Sequence, residues 1–144
     1  MPAVRKNRWV RLGWRLHLWL YLATGGRIGS RLGGWPVLLL TTQGRRSGRP
    51  ITIAISYLAD GARFVVAASN AGKDTYPAWY LNLKAHPQAE VQVGSMRRRV
   101  VASDASGEER SDLWRSIAGF DPAYAEYQRR TSRQIPVVLL TPQT

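Results

Sequence analysis

No cysteine occurs in the 144 residues, and this absence excludes disulfides, thiolate nucleophiles, zinc ribbons, iron–sulfur clusters and covalent haem attachment on chemical grounds. Histidine is almost as scarce, with His17 and His86 the only two. A transition-metal site would have to rest on carboxylates, and the 9 Asp and Glu show no metal-ligand spacing, so no metal is expected. Those 9 acids face 21 Lys and Arg, leaving a formal net charge of +12. Such a field attracts phosphate, nucleic acid or acidic lipid and carries no information about fold. A membrane-spanning run is missing near the N-terminus, where the apolar residues 16–23 are interrupted by His17 and fall far short of the roughly 20 residues a span needs. The following Ala23-Thr24-Gly25-Gly26 is a poor cleavage site, so a cytoplasmic location is the default expectation.

What is present is a chain with 44% apolar and 21% charged residues, long enough for one domain with one core. On a helical wheel Arg8, Arg11 and Arg15 form a stripe beside Trp9, Leu12, Leu16, Trp19 and Leu20, which predicts an amphipathic helix over residues 1–24. This helix is a candidate for peripheral contact with an anionic membrane at the inner face of the cell membrane, or for packing on the barrel or a partner subunit. Five glycines from Gly25 to Gly34 break any period, so residues 25–35 read as a connection.

Residues 36–144 then alternate strand and turn signals. Pro36 to Thr42 is an apolar strand-length run ending in a turn rich in Gly and Arg. Ile51, Ile53, Ile55 and Tyr57 alternate with small polar residues, and Asp60-Gly61 turns the chain into a further strand from Arg63. Pro77 opens a helical stretch closed by Pro87, and two more strands follow about Gly94-Ser95. Ser106 precedes Glu109 at capping-box spacing, ahead of a helix carrying Leu113, Trp114 and Ile117. A short helix after Pro122 and a strand after Pro136 complete the pattern. About six short strands with two helical insertions predict a mainly β, α+β fold: a small antiparallel barrel, since closure hides strand edges.

Three segments carry candidate chemistry. In Thr41-Thr42-Gln43-Gly44-Arg45-Arg46-Ser47-Gly48 the glycines let a ligand approach the backbone and two adjacent guanidiniums offer forked donors to phosphate or carboxylate; a solvated hairpin tip has the same composition. In Ala67-Ala68-Ser69-Asn70-Ala71-Gly72-Lys73 small residues are followed by a hydroxyl, an amide and a cation, as in an anion-binding turn, without the spacing of a Walker loop. The apolar Pro77-Ala78-Trp79-Tyr80-Leu81-Asn82-Leu83 is by periodicity a core helix with one Asn.

Together with Leu39-Leu40-Thr41-Thr42, Glu108-Glu109-Arg110, Leu113-Trp114 and Tyr127-Gln128 ahead of Ile135-Pro136-Val137, these segments resemble, in order and spacing, the deazaflavin-dependent nitroreductases, also described as quinone reductases that use coenzyme F-420. The resemblance implies an FMN-binding-like split β-barrel and an oxidoreductase that passes hydride from the reduced deazaflavin to a quinone-like or nitro-substituted acceptor, the redox chemistry belonging to the cofactor. It implies that Arg45 and Arg46, within Gly44, Ser47 and Gly48, hold the acidic tail and phosphate. It implies further that Ala67, Ala68, Ser69 and Asn70 with Trp79 and Asn82 line the coenzyme pocket. Tyr124 and Tyr127, three apart on the helix after Pro122, would wall the acceptor, with Ser69 as a further hydroxyl. Relatives often carry a basic residue and a proline where this chain has Ile51 and Ala54, and a basic residue at Asn70, which keeps flavin mononucleotide (FMN) as the alternative cofactor. A homodimer is a candidate assembly. A basic nucleic-acid-binding module is the non-enzyme rival, but no nucleic-acid motif is found and no nucleic-acid partner is expected.

Overall fold

The computed structural model describes residues 31–32 and 35–143. The amphipathic helix expected over residues 1–24, with Arg8, Arg11, Arg15 and His17, lies outside them, as does most of the glycine-rich connection. The elements in chain order are β1 (Arg31–Leu32), β2 (Trp35–Gln43), β3 (Pro50–Ser56), β4 (Leu58–Asp60), β5 (Arg63–Ala67), α1 (Ala78–Ala85), β6 (Gln88–Val93), β7 (Met96–Asp104), α2 (Gly107–Phe120), α3 (Ala123–Arg129) and β8 (Val137–Pro142). A 3-10 turn, Asn70–Gly72, follows β5.

All pairings are antiparallel. β3 pairs β2, β2 pairs β6, and β7, β8, β5 and β4 follow in that order. The two outermost strands of this path, β3 and β4, are successive in the chain with only Tyr57 between them. One bent strand therefore belongs to both edges, pairing β2 with its first half and β5 with its second. A flat sheet cannot satisfy this, so the sheet curls into a split β-barrel, the fold expected above. The short β1 answers Trp35 and Pro36 of β2, in a stretch whose glycines predict only a connection.

Alternation sorts the side chains. Leu38 and Leu40 of β2, Val66 of β5, Val91 of β6, Val100 of β7, and Val138 and Leu140 of β8 fill the barrel, with Ile53, Ile55, Tyr57 and Phe64 packed against them. Each fully buried aliphatic side chain contributes about 1.5–3 kcal/mol. On the opposite face Val65, Val137 and Leu139 meet Ile117, Leu113 and Trp114 of α2. β8 is apolar on both faces for this reason. The outer face of β2, β6 and β7 instead carries the cross-strand row Thr41, Glu90 and Arg99.

α2 begins after Ser106 as expected, but the Ser106 hydroxyl makes no cap bond. Glu109, the reciprocal partner in a capping box, accepts from Arg63 at 3.1 Å instead, tying the helix to β5. Among the described residues no helix is long and apolar enough to cross a membrane.

Candidate functional site

β2, β5 and β7 run in one direction and β6 and β8 in the other, so the turns after β2 and after β5 leave the barrel at the same end. α1, inserted between β5 and β6, is bonded to the first of them through Asn82.

The first is the basic turn. Gly44 donates its N–H to the Arg49 carbonyl at 2.8 Å, Gly48 donates back to the Gly44 carbonyl at 2.8 Å, and Gly48 adopts a φ of 72°. The Ser47 hydroxyl accepts from the Arg49 N–H, so it stabilises its own loop. α1 fixes the turn through Asn82, which is 4% exposed. Its Oδ1 accepts the Arg45 N–H at 3.1 Å, and its Nδ2 donates to Thr42 Oγ1 at 3.1 Å. Asn82 thus binds the turn rather than facing the solvent. Arg45 and Arg46 are exposed, and neither has a carboxylate partner among the described residues.

The second turn works through its backbone. Ser69 is right-handed helical (φ −75°, ψ −34°), and Asn70, Ala71 and Gly72 follow with φ of 47°, 54° and 78°. A right-handed residue followed by a left-handed one makes successive N–H groups converge into an anion-binding concavity. Gly72 and Lys73 donate back to Ser69 and Asn70 carbonyls, whereas the amides of Ser69, Asn70 and Ala71 have no acceptor among the described residues. The Asn70 side chain donates to Thr75 (carbonyl 3.0 Å, Oγ1 3.2 Å), which stabilises the left-handed run from within the loop. Ala68 is fully buried and Ala67 half-buried, so both support this turn from the barrel wall. A side chain at Gly72 is opposed on two counts: its φ, and a Cβ position 2.8 Å from the Tyr127 carbonyl.

On α1, Trp79 is half-buried against the inner core. Tyr80, which the sequence pattern marks only as core, donates its hydroxyl to Asp104 Oδ2 at 2.6 Å, and Lys84 reaches the same oxygen at 3.4 Å. Burial, reinforced by the Asp104 carboxylate, pushes the Tyr80 hydroxyl well above the usual tyrosine range. A cavity of about 140 Å³ adjoins this cluster. A larger open groove of about 470 Å³ runs from the basic turn over Thr41, Glu90 and Arg99 on the outer face.

Tyr124 and Tyr127 share one face of α3, with ring centroids 5.6 Å apart. They differ in surroundings. Tyr124 packs edge-on to Trp35 at 5.5 Å in the cluster outside the barrel, and burial pushes its hydroxyl up to about 12. Tyr127 lies with its backbone on Gly72, beside the second turn.

Residues 13–142 match the F420H(2)-dependent quinone reductase family. An F420H(2)-dependent quinone reductase of Mycobacterium tuberculosis is 41% identical over 131 residues, covering 88% of each chain. Among solved structures, an F420-H2 dependent reductase superposes with a TM-score of 0.67 at 35% identity, over 73% of this chain and 93% of its own. A chain solved as a domain-swapped dimer gives a TM-score of 0.70 at 32% identity, over 92% and 96%.

Proposed function

The chain belongs to the F420H(2)-dependent quinone reductase family, and from that premise we propose how its two turns and α1 serve a deazaflavin-dependent oxidoreductase that reduces a quinone. The observation that carries the assignment of residues is the pairing, at one end of the barrel, of two exposed unpaired guanidiniums with three unpartnered backbone amides. This donor set fits a polyanionic coenzyme, since charge-assisted hydrogen bonds and converging amides are the strong ways to hold phosphate and carboxylate.

The reduced deazaflavin supplies the hydride when bound. Arg45 and Arg46 hold the acidic tail, within the frame set by Gly44, Ser47 and Gly48. The amides of Ser69, Asn70 and Ala71 receive an anionic oxygen. Asn82 holds the basic turn at its working distance from α1, and Trp79 closes the apolar side. Tyr127 and Ser69 face the acceptor and donate a hydrogen bond to the oxygen that gains charge on reduction, while Tyr124 backs Tyr127.

A nitro-substituted compound is a second acceptor of the same chemistry, and self-association is the assembly we propose by analogy with the relative solved as a domain-swapped dimer. The arginine stripe of residues 1–24 supports peripheral attachment to anionic membrane.

Fluorescence titration with the oxidised deazaflavin coenzyme, in parallel with FMN, tests the cofactor. Binding in the micromolar range or tighter is expected, about −8 kcal/mol at the weaker end. Binding of FMN alone would overturn the cofactor assignment and leave the barrel standing. Menadione reduction with reduced coenzyme then tests the reaction, and cosedimentation with anionic vesicles, with and without residues 1–24, tests attachment.

A further inference from the structure

We propose that Arg133 is a positioning residue that aims the second turn's amides at the anion, without touching the anion itself. The inference rests on the reading of that turn given above.

Arg133 is half-buried on the segment between α3 and β8, and its guanidinium is committed to main-chain oxygens. Nε donates to the Lys73 carbonyl at 2.9 Å, Nη1 to Ala68 at 3.1 Å and Nη2 to Ser69 at 2.8 Å. Its planar group also lies 4.8 Å from the Tyr76 ring centroid. No carboxylate pairs with it among the described residues. The segment is held in place by Thr131, which is 9% exposed, donates to Asp74 at 2.7 Å and accepts the Arg133 N–H at 3.3 Å.

The consequence follows from peptide geometry. In a planar trans unit the carbonyl and the next residue's N–H point in opposite directions, and no described peptide bond is cis. Drawing the Ala68 and Ser69 carbonyls to the guanidinium therefore turns the Ser69 and Asn70 amides the other way. These are two of the three amides left without an acceptor. A fork suits this: its three nitrogens each meet a different carbonyl, whereas a lysine offers its donors from a single nitrogen and cannot match their spacing. The positive charge behind the turn adds a favourable field, but the geometry is what the fork alone provides.

The test compares wild type, Arg133→Lys and Arg133→Ala for binding of the oxidised deazaflavin coenzyme across a range of salt concentrations, well below each variant's melting temperature. Both variants are expected to bind about tenfold more weakly, with the salt dependence of wild type retained, because no ion contact to the ligand has been removed. In Arg45→Ala the salt dependence itself should flatten. Full affinity in Arg133→Lys would overturn the brace in favour of simple charge attraction, and a flattened slope in Arg133→Ala would make Arg133 a direct ligand. Amide NMR of the ligand-free chain gives the independent arm. The Ser69, Asn70 and Ala71 resonances should move in Arg133→Lys while those of the Gly44 to Gly48 turn stay in place. Unmoved resonances would overturn the brace even if the coenzyme binds. Coenzyme binding absent in wild type, with the resonances still shifted in Arg133→Lys, would overturn the proposed ligand and leave the brace intact.

Discussion

The two turns at the working end of the barrel solve one problem with opposite means. The turn after β2 joins two paired strands, with Gly48 alone in the left-handed region, and presents its donors on side chains, Arg45 and Arg46. The turn after β5 takes three successive residues into the left-handed region and presents backbone amides. Each is held from outside by a polar side chain whose own groups are committed inward: Asn82 for the first, and the Arg133 fork for the second. Side-chain donors absorb part of any displacement of their backbone because long side chains adjust. Backbone donors do not, which is why the second turn needs more conformational constraint than the first.

The sharpest way to break this comparison is Gly72→Ala. A left-handed φ penalises any side chain, and the new Cβ would sit 2.8 Å from the Tyr127 carbonyl, so the variant should lose about 2–4 kcal/mol of stability in urea unfolding. Gly61→Ala is the control: its φ is 59° but nothing lies within 4 Å, so it should cost only the backbone part, about 1 kcal/mol. Equal losses in the two would show that α3 does not constrain the second turn.

The side-chain turn should behave differently. Arg45→Ala and Arg46→Ala are each expected to weaken coenzyme binding by about 1.5–3 kcal/mol, the scale of a hydrogen bond to a charged group, with unfolding midpoints unchanged. Unaltered affinity in both would return the turn to a solvated hairpin tip.

This contrast also sets how far the sequence alone could be read. The strand from Ile51 to Tyr57 is legible because its apolar residues alternate with period two, those around Pro36 to Thr42 and Pro136 to Thr141 because they are apolar runs of strand length, and the basic turn because guanidinium charge is visible in composition. A closed barrel is expected from the sequence, but the way it closes is not legible: the bend at Tyr57 that shares one strand between two edges depends on partners far along the chain. Nor is the orientation of the Ser69 and Asn70 amides, which Arg133 fixes through the Ala68 and Ser69 carbonyls from 65 and 64 residues away. The loop that contains Arg133 has no periodicity to draw attention to it. The resemblance assigns Asn82 to the coenzyme pocket; that its amide is bonded to Thr42 and to the Arg45 N–H is visible only in the structure, because both partners lie about 40 residues earlier in the chain.

Asn82→Ala should therefore weaken binding by about 1–2 kcal/mol although the side chain is inside, by releasing the basic turn and leaving Thr42 and the Arg45 amide short of partners. A double-mutant cycle with Arg45→Ala distinguishes routes. If Asn82 acts through the turn, its effect should shrink once Arg45 is gone, whereas additive losses would mean that Asn82 contacts the ligand independently.

The smallest expected effect separates the two tyrosines of α3, both half-buried but set in different surroundings. Tyr127 lies beside the amide-presenting turn, so Tyr127→Phe should lower menadione turnover about threefold to tenfold with coenzyme affinity intact. Tyr124 supports the helix from the cluster around Trp35, so Tyr124→Phe should leave turnover near wild type. Its signature is in stability at high pH instead. Burial, with Asp121 and Tyr127 adding to it, raises the Tyr124 hydroxyl from 10.0 to about 12 in the folded chain. The native state therefore binds a proton that the unfolded state gives up. The resulting stability is complete below about pH 10 and is lost as pH rises from there towards 12. Removing the hydroxyl should make that alkaline loss shallower. Reduced turnover in Tyr124→Phe together with an unchanged alkaline profile would exchange the roles assigned to the two rings.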